Sequence, residues 1–195
     1  LRVEGEPPDG RCLFVANHRS YLDVLVLAEA LRATFLSRAD VADWRLVGPT
    51  AIAIGAVFVD RDDRGARARA ARGLVRRLET ERIIVFPEGT TTGAPLPGPF
   101  EPGLFRLLAH TRVPVIPVTL RYSRRDAYWI DDLDVETHLR TRILQGPPLV
   151  ASVRVGLPFE GTLAADGDRL REAAYRAVAA PIERDGELVG TTAPS

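Results

Sequence analysis

The chain alternates between short apolar runs and longer segments whose apolar residues recur at helical spacing. Residues 11–16 form a brief, mostly apolar run, the pattern of a buried strand. Residues 21–32 follow, rich in Leu and Ala, behind Ser20, a residue type suited to cap a helix. Residues 34–37 and 57–60 read as short strands, and 43–53 is weakly helical. The clearest helix covers 63–79, where Ala66, Ala70, Leu74, Val75 and Leu78 fall at helical spacing. A β-branched run at 82–86 predicts a fourth strand, and the Pro- and Gly-rich stretch 93–102 predicts a loop. Helix 103–110, strand 113–120, helix 134–144, strand 150–156 and a last helix at 168–180 complete the pattern. Strands alternating with helices predict an α/β fold: a single layered domain over residues 1–195, with a largely parallel or mixed central sheet flanked by helices.

Composition narrows the class. Apolar residues make up 46% and charged residues 27%, so the chain has the means to bury a core. The formal net charge is +0, which gives no global basic field, and no nucleic-acid partner is expected. Lys is absent, so all 26 Lys+Arg positions are Arg, a bias in keeping with GC-rich codons. Arginine is also the better residue for bidentate phosphate contacts. Cys12 is the single cysteine, which excludes an intrachain disulfide and a cysteine metal site; inside a predicted strand it reads as packing. His110 and His138 lie in helical segments without a second ligand at metal spacing, so no metal is expected.

The longest nearly apolar run, 46–59, is interrupted by Gly48, Pro49 and Gly55 and falls short of the roughly 20 residues that a spanning helix needs. Leu1 is not a start residue, so a preceding segment is expected outside this sequence. If the chain acts at a membrane, it is expected to lie peripherally on the bilayer or be anchored by that segment. Arg64, Arg67, Arg69, Arg72, Arg76 and Arg77 spread over the solvent side of helix 63–79. They read as a solvated face, or as a surface for anionic lipid or an acidic protein.

Three segments carry candidate chemistry. The first, Asn17-His18-Arg19-Ser20-Tyr21-Leu22-Asp23, leaves the first strand and enters the first helix. Open α/β sheets place ligands outside the carboxyl ends of their strands. A His there sits over the pocket, and Asp23 is placed to accept one ring N–H, fixing the tautomer and stabilising an imidazolium. The other ring nitrogen is then free to take a proton. Taken alone, the pair reads equally well as a capping Asp beside a half-buried His. Ser20 lacks a Gly-x-Ser-x-Gly elbow and reads as a helix cap, not a nucleophile. The second segment, Phe86-Pro87-Glu88-Gly89-Thr90, also follows a strand. Its Gly lets backbone approach a ligand closely, although Pro, Gly and Thr are equally turn residues. The third, Gly55-Ala56-Val57-Phe58-Val59-Asp60-Arg61, ends in a guanidinium just past a strand, where it could clamp a phosphate or carboxylate.

Together with Val113-Pro114-Val115-Ile116-Pro117, these segments resemble, in order and spacing, the 1-acylglycerol-3-phosphate acyltransferase family, within the wider glycerolipid acyltransferases. The resemblance spans about 11–120, and the C-terminal part is expected to complete the sheet and add a helix. It implies transfer of a fatty acyl group from acyl-CoA or acyl carrier protein onto a lysolipid hydroxyl, in membrane lipid biosynthesis. No cofactor and no covalent acyl-enzyme are implied. His18 would be the general base and Asp23 its partner; Asn17, Arg61, Glu88, Gly89 and Thr90 would bind substrate. The 113–117 segment would be structural or line the acyl site. The partners implied are the lysolipid, the acyl donor and a membrane surface, at the cytoplasmic face. Where the family commonly has an Arg after Glu-Gly-Thr, this chain has Thr91. The run Glu88-Gly89-Thr90-Thr91-Thr92-Gly93 resembles the branch that acylates lyso-ornithine lipids, or some lysophosphatidylcholine acyltransferases. So do Phe100-x-x-Gly103-Leu104-Phe105 and Tyr128-Trp129-Ile130-x-Asp132, with His138-Leu139 beyond. Lysophosphatidic acid remains open as acceptor because Arg61 is retained. The alternatives are a thioester or lipid-ester hydrolase, in which His18 activates water, and a non-catalytic lipid-binding domain. The presence of both His18 and Asp23 argues against the latter.

Overall fold

A computed structural model describes residues 1–38, 57–59, 64–130, 133–159 and 166–185. The expected helix at 43–53, Arg61, and Asp132 of the Tyr-Trp motif lie outside these residues. The strands are β1 (Arg2–Glu4), β2 (Cys12–Ala16), β3 (Thr34–Arg38), β4 (Val57–Val59), β5 (Arg82–Val85), β6 (Val115–Tyr122) and β7 (Ala151–Val155). The helices are α1 (Leu22–Leu31), α2 (Arg64–Arg77), α3 (Pro102–Leu108), α4 (Val135–His138) and α5 (Gly167–Asp185). A π-helical turn, Leu139–Leu144, continues α4, so the expected helix 134–144 is two kinds of helix joined end to end.

The strands form one seven-stranded sheet in the order β1-β7-β6-β2-β5-β3-β4. β6, β2, β5, β3 and β4 run parallel; β7 is antiparallel to β6, and β1 is parallel to β7. The sheet is therefore mixed. The strand β1 was not foreseen: its three residues are exposed and carry no apolar alternation.

Side chains alternate across the pleat, and each face meets its own helical layer. Cys12, Phe14, Ile84, Ile116, Val118 and Leu120 pack on one face against Leu27 and Leu31 of α1. Leu13, Val15, Ile83, Val85 and Val115 pack on the other against Leu74, Phe105, Leu108, Leu170, Ala174 and Val178. Each fully buried Leu or Phe contributes about 1.5–3 kcal/mol relative to exposure. Cys12 is buried and free, and burial pushes its thiol up. Arg72 and Arg76 are exposed on α2, whereas Arg77 pairs with Glu81. The last helix runs beyond the expected 180 and through Pro181, which has no N–H to give; the Thr119 hydroxyl donates to the neighbouring Val178 carbonyl at 2.8 Å.

Candidate active site

The site is built where β2 and β5 end side by side, Val15 opposite Val85. β2 must leave the sheet there while β6 continues to Tyr122. Asn17 makes that possible. Its amide donates to the Leu120 carbonyl at 2.9 Å and accepts the Leu120 N–H at 2.8 Å, replacing one rung of the ladder with a side chain. Asn17 is 0% exposed, and this pair of bonds is the device by which the chain turns out of the sheet.

One residue further, His18 stands at the strand ends with its side chain 20% exposed. Its ring stacks on Phe86 of the β5 loop, centroids 4.0 Å apart. Nδ1 lies 2.8 Å from Oδ2 of Asp23, the second residue of α1. An ionised carboxylate only accepts, so Nδ1 carries the proton and Nε2 is the acceptor nitrogen. Asp23 is fully buried and heavily satisfied. Its Oδ2 also accepts the backbone N–H of Arg19 at 2.6 Å and of Ser20 at 3.0 Å, and Oδ1 accepts the Tyr122 hydroxyl at 2.7 Å. A buried carboxylate is tolerable only with such a set of donors. Burial, with the Asp23 charge beside it, holds the Tyr122 phenol well above its ordinary value, so Tyr122 stays a donor.

The conventional cap expected of Ser20 is not formed. Tyr21 is the N-cap residue, without a side-chain cap bond, and Ser20 Oγ reaches only the Leu22 N–H at 3.4 Å. The carboxylate of Asp23 ties up the amides ahead of the helix instead.

Glu88 faces inward. Oε1 accepts the His18 N–H at 2.8 Å and Oε2 accepts the Gly98 N–H at 2.5 Å; the residue is 9% exposed. Burial pushes its carboxyl up, partly offset by these two amides and by the Arg19 and His18 charges. With one backbone amide on each oxygen, Glu88 braces the loop that holds His18. Gly89 has φ +72°, a left-handed turn that favours Gly. Beyond the turn, Thr90 is exposed and Thr91 half-buried. Of the expected set, His18, Asp23, Glu88, Gly89 and Thr90 share this corner of the sheet.

Sequence reasoning missed Tyr122 and the ring contact of Phe86 with His18. Tyr122 could have been found by extending the alternation Ile116, Val118, Leu120 by one step, which puts it on the α1 face. His138, set aside as a lone helical His, is 2% exposed and holds the Tyr21 hydroxyl at 3.1 Å through Nδ1. Among the described residues, no group of three or more His, Cys, Asp or Glu could hold a metal ion.

The strand ends of this layered α/β sheet thus carry a His–carboxylate pair, with the His on a loop and the carboxylate in the core. The protein-family model described as Acyltransferase matches residues 2–121, and the chain belongs to that family. Over its whole length it is 34% identical to a lyso-ornithine lipid O-acyltransferase of Pseudomonas aeruginosa, covering 74% of that protein. A protein of the same description from Rhodobacter capsulatus is 35% identical over 70% of this chain, which spans 53% of that relative. A 1-acyl-sn-glycerol-3-phosphate acyltransferase of Neisseria gonorrhoeae is 28% identical over 62% of the chain and 48% of the relative. In fold, the chain matches the crystal structure of the 1-acyl-sn-glycerophosphate acyltransferase of Thermotoga maritima with a TM-score of 0.67 at 22% identity, over 100% of this chain and 73% of the other.

Proposed function

We propose that the protein transfers a fatty acyl group from acyl-CoA or acyl carrier protein to the hydroxyl of a lysolipid, of the lyso-ornithine lipid or lysophosphatidic acid type, in membrane lipid biosynthesis. The observation that carries this reading is His18, held by a fully buried Asp23 through Nδ1 while its side chain stays partly exposed. Nε2 takes the proton of the acceptor hydroxyl as its oxygen attacks the thioester carbonyl. The tetrahedral intermediate then expels the thiolate, and His18 returns the proton to sulfur. Asp23 keeps the Nδ1 proton and stabilises the imidazolium between the two steps. The reaction needs no cofactor.

Thr91, where a cation would otherwise meet a phosphomonoester, favours the lyso-ornithine acceptor, as do the names of the relatives from P. aeruginosa and R. capsulatus. Arg61 and the loop at Gly89 and Thr90 hold the head group. Among the described residues, no helix is long and apolar enough to cross a membrane. The protein works from the cytoplasmic face, peripherally or through a further anchor. The test is purified protein with an acyl-thioester donor and a panel of lysolipids, following free thiol and acylated product by mass spectrometry. Thiol release that depends on lysolipid and is lost in His18→Ala, by about 10²–10⁴-fold, supports transfer. Equal release without acceptor marks a hydrolase, and no release at all marks a binding domain.

A further inference from the structure

We propose that Arg19 is a positioning residue that sets the shape of the acceptor-side loop, residues 92–95, and locks it to the His18–Asp23 pair. This rests on the acyl-transfer reading of the site.

Arg19 is 1% exposed, yet none of the hydrogen bonds of its guanidinium is to a carboxylate. Nη1 donates to the carbonyls of Thr92 at 3.0 Å and Ala94 at 2.6 Å, and Nη2 to the carbonyl of Pro95 at 2.9 Å. The guanidinium also lies 5.2 Å from the centroid of the Tyr128 ring. A second arginine, Arg125, donates to the remaining carbonyl, that of Gly93, at 2.8 Å. Four consecutive carbonyls are thus drawn onto two guanidinium groups. A planar fork can span such a set; a Lys ammonium, a compact point charge, cannot do so with the same geometry.

Burying a charge is costly, and apolar packing holds a loop at least as well where only stability is needed. What the buried guanidinium adds is a definite loop conformation. The same residue also carries the connection to the catalytic pair. Its N–H bonds Asp23 Oδ2 at 2.6 Å, and its carbonyl accepts the Trp129 N–H at 2.9 Å. The His18 carbonyl accepts the Thr92 N–H at 3.1 Å, closing a ring from the base to the loop. Gly93 fits because a Cβ there would sit 2.4 Å from Ile130 Cδ1. The turn that presents Thr90 and Thr91 runs straight into this clamped segment. Its tether to Arg19 therefore sets where an acceptor head group sits relative to Nε2 of His18.

The experiment compares Arg19→Lys, Arg19→Gln and Arg19→Gly with wild type, at saturating donor and varied lysolipid, then the reverse. The expected result is an acceptor KM raised tenfold or more with the donor KM within twofold. In Arg19→Gly, millimolar guanidinium should lower the acceptor KM again, whereas methylammonium should not. Equal changes in both KM values, loss of activity only in step with the folded fraction, or equal effects of the two cations would overturn the proposal. If Arg19→Gly does not fold, Tyr128→Leu removes the ring beside the guanidinium and should raise the acceptor KM alone; an unchanged value there also overturns it. Wild type without lysolipid-dependent transfer removes the acyl-transfer reading itself, whereas active wild type with unaffected Arg19 variants removes only this inference.

Discussion

Replacing Asp23 by Asn should cost activity without unfolding the protein, and the hydrogen bonds explain why. Oδ2 takes three donors: the His18 ring, the Arg19 amide and the Ser20 amide. If the Asn amide nitrogen took that place it would face three N–H groups, each buried clash or lost bond costing about 1–3 kcal/mol. The amide oxygen therefore occupies the Oδ2 position, and the nitrogen faces the Tyr122 oxygen, which can accept. The ring keeps its orientation and its tautomer. What disappears is the attraction between carboxylate and imidazolium. For unit charges about 4 Å apart at an effective dielectric constant of about 20, that attraction is about 4 kcal/mol. Partial exposure of His18 lowers it, so about 2–4 kcal/mol is the working range, or about 30- to 1,000-fold in kcat. The assay is thiol release at saturating lysolipid, with thermal unfolding of the same samples as control. A loss below about threefold, or a collapse of the folded state, would refute the electrostatic argument.

Tyr122→Phe should do the reverse. It removes the 2.7 Å donor to Asp23 Oδ1, lowering stability by about 1.5–3 kcal/mol and Tm by about 3–12 °C, while Oδ2 still holds His18 and kcat falls less than tenfold; a kcat loss as deep as that of Asp23→Asn would contradict this. Burial pushes the Tyr21 phenol up to about 12 from 10.0. Between these values the unfolded chain has released a proton that the folded chain keeps, so stability falls as pH rises from 10 to 12. The loss is up to about 3 kcal/mol, and chemical denaturation across this range should show a shallower slope in Tyr21→Phe. Thr91→Arg restores a cation to the loop. It should raise use of lysophosphatidic acid relative to lyso-ornithine lipid by roughly ten- to a hundredfold, about 1.5–3 kcal/mol; an unchanged ratio in a two-acceptor competition would place position 91 away from the head group.

The layered sheet was readable from periodicity because burial on two faces imposes it. Alternation along 115–122 and helical spacing along 64–77 are what a two-faced core demands of any sequence that forms it. The His18–Asp23 pair was readable for a local reason: five residues across a strand-to-helix turn bring the two side chains together without help from the rest of the fold. The backbone contacts of Asn17 and Glu88 were not. Their residue types suit a ligand as well as they suit a backbone amide, and the amides they meet lie 103 and 70 residues away. No local pattern records such a partner.

The same distinction explains why Arg19 escaped notice. An arginine beside a histidine at a strand end would ordinarily reach for solvent, since burial of its charge is among the costlier events in folding. Here the cost is offset by carbonyls 73 to 76 residues on, which present three acceptors to one fork. Those carbonyls are free to do so because Gly93, Pro95 and Pro97 keep the loop out of helix and strand, leaving backbone oxygens without ladder partners. The loop's composition and the guanidinium are thus one feature written in two places. The Pro- and Gly-rich stretch read simply as a connection supplies the acceptors, and the arginine supplies the shape. The backbone at His18 is thereby tied, through Thr92 and Arg19, to a segment whose own sequence carries no chemistry.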